Sequence, residues 1–109
     1  MNSTHPQWSP SEVAERIGIA LSDWPGNCNW VAQKALSASL FEGRLVLGRA
    51  AFAPEAAYHA WIEAQDGSVI DFTRWVYEAC VPYIYAGDNA GYEEFASPAE
   101  PSWRSRLRR

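Results

Sequence analysis

Three side chains in this 109-residue sequence have the types needed for nucleophilic chemistry: Cys28, His59 and Asp71, in that chain order. A thiol that loses its proton attacks a carbonyl carbon. An imidazole takes such a proton and returns it to a leaving group, and a carboxylate fixes the tautomer and orientation of the imidazole. Spaced tens of residues apart, the three make a site only if the chain folds them together. Two stretches decide that: the one beginning at Asn27, and the one from His59 to Thr73.

The first stretch reads as a helix. Asn27 is a good N-cap and Gly43 a good stop, so the helix is expected to start near Asn27 and end before Gly43. Cys28, Ala32, Leu36 and Leu40 fall on one stripe, with Val31 and Ala35 beside it. Cys28 then heads the inward face. Free backbone N–H groups and the helix dipole favour an anion at that end, which eases formation of a thiolate. The backbone N–H of Cys28 points out of the same end and is a candidate oxyanion donor.

The second stretch reads as two short strands around a turn. With Asp66-Gly67 as a two-residue loop, Gln65 would pair with Ser68, and His59 and Asp71 would take opposite faces. With Gln65-Asp66-Gly67 as a three-residue loop, Ala64 pairs with Ser68, Trp61 with Asp71 and His59 with Thr73. Gly67 then stands where the left-handed residue is needed. Burial selects the second register. It gathers Ala60, Ile62, Ile70 and Phe72 on one apolar face and puts His59, Trp61, Glu63, Val69, Asp71 and Thr73 on the other. A one-residue slip would scatter the charges among the apolar residues. His59 and Asp71 become diagonal neighbours within reach of a side-chain hydrogen bond.

The rest of the chain supports these two stretches. Ser9-Pro10-Ser11-Glu12 is a helix start with a capping box, and that helix is expected to run to about Leu21. Ser22 to Gly26 breaks it. Arg44 to Gly48 reads as a strand and Ala50 to Pro54 as a connection, and residues 55–58 are a possible extension of the strand that carries His59. Arg74 to Glu78 is ambiguous. Pro82 to Tyr85 reads as an edge strand, because Pro82 cannot donate to a ladder, and Gly87 to Gly91 as a loop. Helices followed by antiparallel strands argue an α+β fold, with two N-terminal helices packed on a small antiparallel sheet. One domain over residues 1–97 is expected, with residues 1–8 loose and residues 98–109 a flexible basic tail.

Composition narrows the function. Hydrophobic residues make up 48% of the chain, with six Trp and five Tyr, enough for a core without metal or disulfide staples. No run of about 18 apolar residues exists, so no membrane span is expected. The N-terminus lacks the basic and apolar regions of a signal peptide, and two Cys are too few for a disulfide framework. A cytoplasmic protein with reduced thiols follows. The net charge of −4 includes the tail arginines Arg104, Arg106, Arg108 and Arg109. Residues 1–103 hold five basic against thirteen acidic residues, a charge of −8 that would repel a phosphate backbone. Nucleic acid is an expected partner only through the tail, if at all.

Gly26-Asn27-Cys28, His59-Ala60-Trp61 and Val69-Ile70-Asp71-Phe72-Thr73 together resemble the papain-like, transglutaminase-like cysteine superfamily. Its members place Cys at a helix start, then His on one strand and Asp on the next. Many relatives show His-Ala-Trp followed, after a glycine turn, by Asp-Pro-Thr; here Phe72 replaces that Pro. The likeness covers roughly residues 26–75. It implies Cys28 as nucleophile, His59 as general base and acid, and Asp71 as orienter. The activity implied is hydrolysis or acyl transfer at an amide, isopeptide or ester bond of a peptide or protein, without a cofactor. Papain-like enzymes often carry an upstream Gln in the oxyanion hole, and no Gln lies between Trp8 and Cys28. Trp24, Asn27 and Asn29 are the available substitutes, and Trp61 and Glu63 are candidates to meet a substrate.

Other readings compete. Cys28, Cys80, His59 and Asp71 are a possible zinc set, although no pair has close ligand spacing, and a Cys28–Cys80 disulfide is another option. A catalytically inert module that engages a protein partner through its aromatic surface is the main alternative function.

Overall fold

A computed structural model describes residues 8–54 and 58–95. The expected loose N-terminus up to residue 7, residues 55–57 and the basic tail lie outside the described residues. The architecture is α+β: three helices and one five-stranded antiparallel sheet. Helix α1 spans Pro10–Ile17, α2 spans Cys28–Ser37 and α3 spans Arg74–Glu78. The strands are β1 (Arg44–Ala50), β2 (His59–Glu63), β3 (Val69–Asp71), β4 (Tyr85–Gly87) and β5 (Tyr92–Glu94), in the sheet order β4-β3-β2-β1-β5.

Local chemistry sets the helix ends. The capping box on α1 is formed: Glu12 N–H donates to Ser9 Oγ at 3.2 Å, and Ser9 N–H donates to Glu12 Oε1 at 2.9 Å. The helix stops at Ile17, earlier than the expected Leu21, because Gly18 turns left-handed at φ 76°. A short 3-10 turn, Leu21–Asp23, follows. Helix α2 ends at Ser37, well before Gly43. Ser39 at φ 60° redirects the chain so that Leu40 and Phe41 drop into the core as side chains of a loop.

The β2–β3 hairpin takes the three-residue loop. Ala64 N–H donates to Ser68 O at 2.9 Å, Gly67 sits at φ 87°, and Ile62 pairs with Ile70. Ile62, Ala64, Ile70 and Phe72 therefore face α1 and α2, where they pack against Val13, Ile17, Trp24 and Val31. Phe72 is the pivot of this layer, edge-on to Trp24 at 6.1 Å and to Phe41 at 5.2 Å.

The opposite face is buried too, because the sheet curls. Strands β4 and β5 occupy its two edges, which in a flat sheet would lie about 19 Å apart at the usual strand spacing. Their rings nevertheless stack: Tyr85 and Tyr92 centroids are 5.8 Å apart. Val46, Trp61 and Val69 fill the concave side between them. Two elements here differ from expectation. The strand near Pro82 begins only at Tyr85, and β5 occupies a stretch past the 87–91 loop where no strand was foreseen. Arg74–Glu78, of ambiguous type in the sequence, is helical.

Close approach of β5 to β1 depends on Gly48, which pairs with Glu94. A Cβ there would run into the Glu93 carbonyl, the Glu94 backbone and the Trp61 ring. Gly48→Ala is expected to cost about 1–3 kcal/mol as an overpacking change, read as a lower urea midpoint. An unchanged midpoint would mean that β5 is not held against β1.

Candidate active site

Cys28 is the first residue of α2, half-buried. Gly26 at φ 82° makes the turn that precedes it, closed by Asn27 N–H donating to Trp24 O at 2.9 Å. Asn27 occupies the N-cap position without capping. Its side-chain amide instead donates to Asp23 O at 2.6 Å, and no side chain accepts from the helix's first N–H groups. The positive end of α2 is left uncapped beside the thiol.

The hairpin brings the other two residues together. His59 Nε2 lies 2.7 Å from Asp71 Oδ2, and both side chains are fully buried. Asp71 Oδ1 accepts from Thr73 N–H at 3.0 Å, and Oδ2 accepts a second bond from the Tyr92 hydroxyl at 2.8 Å. Three donors thus hold one carboxylate, which fixes the plane of the His59 ring. Phe52, Trp61 and Tyr77 surround that ring at centroid distances of 5.5, 6.0 and 5.7 Å.

With Nε2 taken by Asp71, Nδ1 is the nitrogen left for Cys28. Burial pulls the proton affinity of His59 down, but hydrogen bonding and charge from Asp71 and from Cys28 outweigh it and push the pKa up to about 9. The thiol is therefore near enough to act on the ring. By hydrogen-bond geometry alone Nδ1 has no partner. Loose contacts of this kind are common in resting sites. His59 Nδ1 and Thr73 Oγ1 are the buried side-chain polar atoms, among the described residues, that lack a hydrogen bond.

The weaker candidates lie elsewhere or are engaged. Trp24 is fully buried, and its only side-chain N–H donates to Ile19 O at 3.0 Å, so no hydrogen remains for an oxyanion. Asn29 Oδ1 accepts from Gln33 at 3.0 Å. Trp61 packs inside the concave face. Glu63 pairs with Arg44 at 2.6 Å, and Arg44 also grips Glu94 on β5. Cys80 is exposed beside Glu78 and outside the cluster. Both cysteines are free thiols, so no disulfide joins them. No three His, Cys, Asp or Glu converge as a metal site among the described residues, which removes the zinc set.

Sequence reasoning missed Tyr92, Tyr77 and Phe52 as neighbours of the ring. Tyr92 was the hardest to find, since only the curl of the sheet brings β5 to Asp71. Comparison with protein-family models, with curated proteins and with solved structures finds no match to this chain.

The His59 shift has a consequence for stability. A group whose folded pKa is raised stabilises the fold fully below its unfolded value, about 6.5, and loses that contribution as pH rises through about 9. The urea midpoint should therefore fall between about pH 6.5 and 9, and Asp71→Asn should flatten that fall. Asp71→Ala, which leaves the ring without its buried partner, is expected to lose about 3–5 kcal/mol. A midpoint that is level over this range in the native chain would contradict the ion pair.

Proposed function

We propose that this protein is a small thiol hydrolase or acyltransferase acting on an amide, isopeptide or ester carbonyl. Cys28 is the nucleophile, His59 the acid and base, and Asp71 the orienter. One observation carries the reading. His59 is a buried ring whose Nε2 meets a carboxylate at 2.7 Å while Nδ1 has no hydrogen-bond partner, and Asp71 and Cys28 together push its pKa up to about 9. A histidine kept only for structure has both nitrogens satisfied, as buried polar groups are. The partner of Nδ1 is supplied when a thiolate or a departing group arrives.

Chemistry follows from that arrangement. Cys28 Sγ, as thiolate, attacks the carbonyl carbon, and the carbonyl oxygen gathers charge at the uncapped end of α2. His59 gives its Nδ1 proton to the departing amine or alcohol, leaving a thioester on Cys28. Neutral His59 then takes a proton from water or from a second amine. That attack releases the acyl group and restores thiolate and imidazolium. The order Cys, His, Asp, with Cys heading a helix packed on the sheet whose adjacent strands bear the other two, supports the likeness to the papain-like and transglutaminase-like core.

The alternative, an inert module that binds a protein partner, is favoured by the commitment of the Trp24 and Asn27 donors to backbone carbonyls. Trp30, Tyr58 and Val81 are exposed apolar side chains open to such a partner.

An electrophilic probe for activated cysteines separates the two. Cys28 should be labelled well ahead of Cys80, Cys28→Ala should abolish the fast labelling, and His59→Ala should slow it by about 10²–10⁴-fold. Turnover of an amide or alkyl ester should decline as pH rises past about 9, where His59 loses the proton it must donate to the poor leaving group. Equal labelling of both cysteines at the rate of a free thiol would leave only the binding module.

A further inference from the structure

Tyr92, half-buried on β5, reaches the Asp71 carboxylate from outside the Cys28 helix and the His59 hairpin. Its hydroxyl donates to Asp71 Oδ2 at 2.8 Å, the same oxygen that His59 Nε2 meets at 2.7 Å. Behind it, Arg74 Nη1 donates to the Tyr92 hydroxyl oxygen at 3.4 Å, and the guanidinium lies over the Tyr85 and Phe52 rings at 4.3 and 4.8 Å. Tyr92 itself is pinned edge-on against Trp61 at 5.0 Å and Phe52 at 5.5 Å. A tyrosine serving only as packing would not need its oxygen placed between an arginine and a carboxylate.

We infer that Tyr92 is a positioning residue for the proposed thiol chemistry: by sharing Oδ2 with His59, its hydroxyl fixes the rotation of the Asp71 carboxylate and sets how tightly that carboxylate holds the imidazolium. This rests on the reading of Cys28, His59 and Asp71 as a reactive unit. A carboxylate oxygen that already accepts one strong bond is a weaker acceptor for a second. Tyr92 therefore keeps His59 acidic enough to hand its proton to a leaving group, while Arg74 polarises the phenol from behind. Burial, reinforced by the Asp71 charge, raises the proton affinity of Tyr92, so it stays a neutral donor across the working range. The groups facing His59 are Cys28 from α2, Asp71 from β3, Tyr77 from α3 and Tyr92 from β5, with Arg74 one step behind.

Tyr92→Phe deletes the hydroxyl and keeps the ring. The chain has two histidines, so the His59 ring is readily followed by NMR titration. Freed of its competitor, Asp71 should hold the imidazolium harder, and the His59 titration should move upward by about one unit. Tyr85→Phe is the packing control. Its ring stacks on Tyr92 while its hydroxyl donates to Asp88 O, so His59 should titrate as in the native chain. An unmoved or lowered His59 titration in a folded Tyr92→Phe protein overturns the inference, and so does an equal shift in Tyr85→Phe. The outcome is independent of thiol labelling. An upward shift in a protein whose Cys28 reacts like a free thiol would keep the Tyr92 coupling and remove the enzymatic reading.

Discussion

Placing the Asp71 carboxylate out of water is the constraint to which the rest of the site answers. A buried carboxylate is costly unless its lone pairs are satisfied. Here three donors from three places meet it: Thr73 N–H just beyond β3, His59 on β2 and Tyr92 on β5. That requirement ties the last strand to the middle of the sheet and pushes the pKa of the imidazole up. Remove the carboxylate, and the ring loses the hydrogen bond that fixes its plane and the charge that raises its pKa.

Curling of the sheet follows from the same need. Asp71 and His59 sit on the face opposite Ile62, Ile70 and Phe72, which in a flat sheet would meet solvent. Bringing Tyr85 and Tyr92 into contact across the two edges closes that face over them. Gly48 makes the approach sterically possible, and Arg44 fastens it by bridging Glu63 and Glu94. Arg74, stacked on the same tyrosines, places a cation behind the site and balances part of the buried negative charge. The helical layer does a separate job: Trp24, Val31 and Phe72 seat α2, whose uncapped first turn begins at Cys28.

Much of this was legible in the sequence because it is local. Alternation from Ala60 to Phe72, with Gly67 in the turn, specified the register and put His59 and Asp71 on one face. The capping box at Ser9 and Glu12 marked a helix start. What was not legible is what depends on distant contacts. Gly18 and Ser39 ended two helices early through left-handed backbone, a conformation that a following Ile19 or Leu40 stabilises only once it is buried. Strand β5 is three residues long and gains its identity from pairing with β1. Hence Tyr92 could not be placed beside Asp71 before the curl was known. Asn27 shows the converse case: a residue of the right type at the N-cap position whose amide is drawn to Asp23 O instead.

The claim at the centre of this account is that a buried carboxylate keeps the His59 ring charged beside Cys28. Nitrogen-15 NMR of the histidine rings near pH 7.5 tests it directly. Both ring nitrogens of His59 should carry protons, with the Nε2 proton shifted far downfield by its short bond to Asp71, and the signal should persist until the pH nears about 9. A His59 ring that is already neutral at that pH, titrating near 6.5 as an ordinary imidazole does, would contradict it.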